Sequence, residues 1–251
     1  MSQPPQNSKS PEAMPLVEWA DFGVEFHGET IVTRFSGALR RGQKVAVLGP
    51  NGSGKSSLLK ALLGGLELSR SSGPRDRKIK WHITREQISY VPQTLDFDFH
   101  IPLTVREFLE ISRIKSIWNF PWPWIRETIT VDSPGSLNLT PLSPELLSTP
   151  LAQLSRGQIQ TVILARAYLE KPICAFLDEP LTGLDRDRRS QIIHFIFNST
   201  ETLLMVAHDS DWMSFGFTHV LHLDLETLPK IVPLAEYLRT PNLHSFLLGQ
   251  S

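Results

Sequence analysis

The chain has 251 residues, 41% of them hydrophobic, enough to bury a sizeable core in one large domain or two small ones. Twenty-five Lys plus Arg against 26 Asp plus Glu leave a net charge of −1, so no global field draws the protein to nucleic acid or to an anionic bilayer. The single cysteine, Cys174, offers no disulfide and lies in the apolar run Ile173-Cys174-Ala175-Phe176-Leu177, where it reads as a buried strand residue.

Residues 1–15 are polar and proline-rich and read as a disordered arm without the apolar stretch of a signal peptide, so a reducing cytoplasm is expected. The folded unit is expected over 16–251. No run reaches the roughly 18 apolar residues that span a bilayer, so any membrane is crossed by another chain. Alternating apolar residues at Val17, Trp19, Phe22, Val24 and Phe26, then from Ile31 to Phe35, predict antiparallel strands. Lys44 to Leu48 has the continuous apolar character of a strand buried on both faces. Ser56 to Leu66 predicts a helix ended near Gly64-Gly65, followed by a charged loop from Ser69 to Lys80 and a strand from Ile88 to Val91. Val105 to Ile114 is helical in period, and prolines then divide the run Trp118-Asn119-Phe120-Pro121-Trp122-Pro123-Trp124, a partner surface or a packed interior. After Leu154 the pattern predicts a helix to about Glu170, a strand through Leu177, a helix near Arg186 to Phe197, and strands at Leu203 to Ala207 and Val220 to Leu223. Alternating strands and helices imply an α/β fold with a mainly parallel sheet, an N-terminal antiparallel part and a helical subdomain inserted at about 102–153.

Gly49-Pro50-Asn51-Gly52-Ser53-Gly54-Lys55-Ser56 fits the pattern of a phosphate-binding loop and stands between a buried strand and a helix, as that motif requires. Its glycines let successive N–H groups turn inward around an anion at the positive end of the helix. Lys55 would pair with the β- and γ-phosphates of ATP, and the Ser56 hydroxyl would reach Mg²⁺. The strand Ile173–Leu177 ends in Asp178-Glu179, which puts two carboxylates at the carboxyl edge of the sheet, where α/β ligands bind. Asp178 would hold Mg²⁺ and Glu179 would polarise the attacking water. Taken alone, two acids before Pro180 also fit a surface turn. His219 and His222 are three apart in a strand, so they face opposite ways and cannot share a metal.

Leu154-Ser155-Arg156-Gly157-Gln158 resembles the signature sequence of ATP-binding cassette (ABC) ATPases, usually Leu-Ser-Gly-Gly-Gln, and lies about twenty residues before the acidic strand, as in that family. Here Arg156 replaces the first glycine. Ser155 is suited to cap a helix whose N–H dipoles face a γ-phosphate. The resemblance covers about Phe22 to Asp209 and implies a P-loop NTPase core, ATP and Mg²⁺ as ligands, and ATP hydrolysis coupled to transport. It implies that Phe26 stacks on adenine, that Ser57 continues the phosphate loop, and that Gln93 links the Mg²⁺ site to the helical subdomain. It further implies that Leu184-Asp185 crosses to a partner and that His208 contacts the γ-phosphate and steadies Glu179. Read without it, Phe26 is equally a core aromatic and His208 a structural histidine.

The same resemblance implies a dimer with a second ATPase subunit, each ATP lying between the Lys55 loop of one copy and Ser155-Arg156-Gly157 of the other, and docking on transmembrane permease subunits at the inner face of the membrane. DNA-repair and ribosome-acting relatives of the family are the rivals. About sixty residues separate Gln93 from Leu154, with no sustained heptads for the long coiled coil of the repair proteins, and a single P-loop is present rather than two. Tyr90 to Phe99, continuing through Pro102-Leu103-Thr104-Val105, is similar to the corresponding segment of ATPases serving zinc and manganese importers, which makes divalent-metal import the expected cargo.

Overall fold

Two sheets of opposite character organise the chain. In the computed structural model, which describes residues 14–71, 79–93, 102–111, 142–169, 171–207, 210–224 and 228–239, β1 (Pro15–Phe26) and β2 (Glu29–Arg40) form a long antiparallel hairpin. They lead into β3 (Lys44–Leu48), α1 (Lys55–Ser71), β4 (Ile79–Trp81) and β5 (Ile88–Val91). The short strand β4 adds to β1, giving a three-stranded antiparallel sheet in the order β2-β1-β4. After α2 (Val105–Ile111) and α3 (Pro144–Ser148) come α4 (Arg156–Tyr168), β6 (Cys174–Asp178), α5 (Arg186–Ser199), β7 (Thr202–Val206), β8 (His219–His222), β9 (Ile231–Pro233) and α6 (Leu234–Tyr237). The second sheet runs β5-β6-β7-β3-β8-β9, parallel except where β9 turns back along β8.

Every residue of β6 and β7 is buried, the consequence of covering a parallel sheet on both faces. The strand period of two sorts these residues between two cores. Val45, Val47, Cys174, Phe176, Leu204 and Val206 meet Leu58, Leu59 and Leu62 of α1 and the inner face of the hairpin. Ala46, Leu48, Ala175, Leu177, Leu203 and Met205 meet α4 and α5 through Leu164, Ile192 and Ile196. Cys174 lies in the first core, and burial pushes its thiol pKa up. His219 and His222 sit on opposite faces of β8: His219 contacts Gln43 and Thr218, while the His222 ring meets Tyr237 edge-on.

Three boundaries differ from the sequence reading. The helix predicted to stop near Gly64-Gly65 continues through both to Ser71. Its Leu58, Leu59, Leu62 and Leu63 are buried, and that packing outweighs the roughly 1 kcal/mol a mid-helix glycine costs. The predicted loop from Ser69 to Lys80 shrinks accordingly, because Ser69–Ser71 are helical and Ile79–Trp81 form β4. At the amino end, Pro15 already pairs with Arg40, one residue before the expected start of structure. The expected arm at 1–13, the last three residues (112–114) of the predicted helix to Ile114 and the aromatic run 118–124 lie outside the described residues.

The described ends of the 102–153 region enter and leave side by side. Thr104 bridges Pro150, the Val105 N–H donates to Thr149 O at 3.0 Å, and the Leu151 N–H donates to Leu103 O at 2.9 Å. Thr104 starts α2 as a reciprocal cap, its N–H donating to Glu107 Oε2 at 2.7 Å while the Glu107 N–H donates to Thr104 Oγ1 at 3.3 Å. A small core of Val105, Phe108, Leu109, Leu151 and Leu154 closes this piece onto Val162 and Ala165 of α4.

Phe176 is fully buried at the sheet centre, with its ring 5.8 Å from that of Trp81. Phe176→Ala is expected to lower stability by about 3–5 kcal/mol, read as a shift of the urea midpoint.

Candidate active site

The carboxyl ends of β3 and β6 meet at one edge of the parallel sheet, with β7 between them. The loop after β3 is held by its own backbone: the Ser53 N–H donates to Pro50 O at 3.2 Å, and the Leu58 N–H donates to Gly54 O at 2.8 Å as α1 begins. Gly49 sits at φ +147°, and a Cβ there would stand 2.1 Å from Leu223 O. Only glycine fits. Lys55, 5% exposed, folds back over the loop, and its ammonium donates to Gly49 O at 2.9 Å and Pro50 O at 2.8 Å. Burial holds the Lys55 pKa below its usual value, partly offset by Glu179 and Asp178. Pro50, Asn51 and Gly52 are exposed at the loop tip, Ser57 is half-buried, and the Ser53 hydroxyl is buried without a hydrogen-bond partner among the described residues.

The two motifs are joined by one hydrogen bond. Ser56 Oγ donates to Asp178 Oδ1 at 2.8 Å. Asp178 is completely buried, and its Oδ2 has no hydrogen-bond partner among the described residues. Burial raises its pKa first and the adjacent Glu179 raises it further, against the lowering effects of Ser56, Lys60 and Lys55. A raised carboxyl pKa means the native state resists ionisation, so this group's contribution to stability falls as pH rises from the ordinary aspartate value through the raised one. The donor set suits Mg²⁺: a hydroxyl and a spare carboxylate oxygen are hard ligands. Among the described residues no cluster of three or more His, Cys, Asp or Glu could cage an ion by itself. Few protein ligands, with water and phosphate completing the shell, is the Mg²⁺ pattern.

Glu179 follows at φ +50°, a left-handed conformation costing a non-glycine residue about 1–2 kcal/mol. The Thr182 hydroxyl donates to its Oε2 at 3.3 Å. The signature segment forms the start of α4, where Ser155 is the N-cap: its N–H donates to Gln158 Oε1 at 2.8 Å, and the Gln158 N–H donates to Ser155 Oγ at 3.3 Å. Arg156 is exposed, and the Arg188 guanidinium presses on Gly157, where an added Cβ would stand 2.9 Å from Nη1. α4 packs beside β5, three strands from β3 in the sheet order, so the signature segment and the phosphate loop start from different parts of the sheet.

Residues 32–182 match the family model described as ABC transporter. The chain belongs to the ABC transporter family. It is the ATP-binding component of that family, an ATPase. This ABC protein is 30% identical over 231 residues to the zinc import ATP-binding protein ZnuC of Hydrogenovibrio crunogenus, covering 89% of this chain and 80% of the relative. It is 33% identical to ZnuC 2 of Aliivibrio fischeri over 198 residues, 77% of this chain and 73% of the relative. Among solved structures it resembles the ATP-binding subunit of an ABC transporter, with a TM-score of 0.67 at 22% identity over 94% and 95% of the two chains. A metal-chelate type ABC transporter in an inward-facing conformation gives 0.66 at 22% identity over 94% and 89%. These structural likenesses speak to fold alone.

The remaining residues named from the sequence lie on other segments of the ABC protein. Phe26 ends β1 in register with Glu29, and Gln93 lies exposed two residues past β5. His208 is outside the described residues. Asp185 has a local task the sequence reading missed: it caps α5, its Oδ1 accepting from the Arg188 N–H at 2.9 Å. Thr182-Gly183 stands where the family loop more usually has a small pair, and the contact of Thr182 with Glu179 was missed because it depends on how the turn folds back on itself. Among the described residues no helix is long and apolar enough to cross a membrane.

Gly49→Ala combines a forbidden backbone with a carbonyl clash, so it is expected to cost about 1–3 kcal/mol from the backbone alone and to abolish binding of a fluorescent ATP analogue. Melting and titration of the purified variant read both effects.

Proposed function

We propose that this ABC ATPase binds MgATP on the Lys55 loop, hydrolyses it with Glu179 as general base, and powers import of a divalent metal, zinc above all, through separate membrane subunits. The Ser56–Asp178 hydrogen bond carries the chemical part, because it sets a spare buried carboxylate oxygen beside a phosphate loop, one residue from Glu179. In this reading Lys55 leaves the Gly49 and Pro50 carbonyls for the β- and γ-phosphates, and the loop N–H groups neutralise the remaining charge. Ser56 and Asp178 hold Mg²⁺, with Gln93 at its margin. The metal ion, when bound, neutralises charge building on the phosphate oxygens. Glu179 orients and deprotonates the attacking water, His208 steadies it at the γ-phosphate, and Phe26 takes the adenine face.

Separation of the α4 start from the Lys55 loop by several strands supports a dimer of two such chains, in which Ser155, Arg156, Gly157 and Gln158 of one copy face the nucleotide of the other and Asp185 crosses between them. The membrane subunits would dock on the 102–153 region from the cytoplasmic side. Support for the cargo comes from Tyr90 to Val105, whose likeness to zinc and manganese importer ATPases agrees with the printed names of the relatives.

Glu179→Gln keeps shape but removes the base, so steady-state hydrolysis of MgATP is expected to fall at least about 100-fold while ATP binding persists; wild-type turnover would remove Glu179 from this role. Deleting the gene is expected to lower cellular zinc and slow growth under a zinc chelator. Unchanged metal content, with uptake of another nutrient lost, would reject the cargo and leave the ATPase standing.

A further inference from the structure

The turn that begins at Glu179 is held unevenly. Leu181 and Leu184 are buried in the core, yet every residue from Glu179 to Gly183 borders a cleft of about 170 Å³, so close packing does not fix the turn on that side. Its own hydrogen bonds are long: Thr182 N–H to Glu179 O and Leu184 N–H to Leu181 O are both 3.3 Å. Glu179 nevertheless keeps a left-handed backbone, which persists only where the surroundings impose it. Part of that restraint comes from α4. Gln160 Nε2 donates to Pro180 O at 3.1 Å, satisfying the carbonyl of a buried residue directly after Glu179. Four residues earlier, on the same helix face, Arg156 Nε lies 4.0 Å from where a Cβ on Gly183 would stand, and Gly183 is itself at φ +78°.

We infer that Gln160 is a positioning residue for Glu179: by holding the Pro180 carbonyl it fixes the Pro180–Leu181 peptide plane, and the proline ring, which locks φ at Pro180, passes that restraint back to the peptide bond after Glu179 and so to the direction in which the carboxylate leaves the backbone. Arg156, standing where the signature usually has glycine, extends the same helix face to the far end of the turn. The signature helix and the carboxylate that activates water are thereby one mechanical unit within a single chain. This inference rests on the reading of Glu179 as the base.

The test is steady-state hydrolysis of MgATP by Gln160→Met and Gln160→Glu, two side chains of similar length that cannot donate. Each is expected to lower kcat about fivefold, the worth of one hydrogen bond, with KM within about twofold of wild type. Combining Gln160→Met with Thr182→Val is expected to cost less than the product of the single effects, because both act on one carboxylate. Unchanged kcat with a lowered melting temperature would overturn the inference and leave Gln160 a structural tie; a raised KM with unchanged kcat would overturn it too. Glu179→Gln run alongside separates the two failures. If that variant is inactive while Gln160→Met turns over normally, only the positioning role falls, and if Glu179→Gln itself turns over normally, the base assignment falls.

Discussion

A carboxylate at the end of a wholly buried strand has to find compensation, and the site grows out of that requirement. Asp178 ends β6 with no exposed surface, one oxygen bonded to Ser56 and the other without a hydrogen-bond partner among the described residues. An isolated buried charge is expensive, and the raised pKa of Asp178 records that expense. In the proposed reading, a divalent cation would relieve it by giving the second oxygen a partner of opposite charge. The sheet order matters because it brings β3 and β6 to the same edge with a single strand between them, close enough for the first turn of α1 to deliver Ser56. Lys55, one residue earlier, is parked on the carbonyls of its own loop, which satisfies a buried ammonium until a better acceptor arrives.

Stability and function pull against each other along the turn from Glu179 to Asp185. Its apolar residues anchor in the core, yet Glu179, the proposed base, occupies a left-handed backbone beside a cleft. Helix caps and side-chain ties from α4 and α5 hold what packing does not. Asp185 caps α5, Ser155 and Gln158 cap α4, and Gln160 reaches the turn from that same helix. Strain of this sort is affordable because the surrounding sheet is so completely buried.

Much of this was legible in the residues. The continuous apolar runs of β3, β6 and β7 announced a sheet covered on both faces, and the glycine spacing after Leu48 announced the loop, because both patterns have a direct physical cause. The cap at Ser155 was legible for the same reason. Where the reading failed, tertiary packing decided. Gly64 and Gly65 break helices by propensity, but the turns before them are anchored by buried Leu58, Leu59, Leu62 and Leu63, and the helix runs on to Ser71. The three residues of β4 are too few for a period to emerge, and only pairing with β1 makes them a strand. Glu179's backbone and the contact from Gln160 depend on elements that meet in space rather than in sequence.

The most direct measurement is the melting temperature of wild-type and Asp178→Asn protein with ATP alone and with ATP plus Mg²⁺. If the buried carboxylate is what the cation satisfies, Mg²⁺ adds a further rise over ATP alone in the wild type, and that rise is lost in Asp178→Asn, while the nucleotide-free variant is at least as stable as wild type. The same Mg²⁺-dependent rise in both proteins would contradict the account.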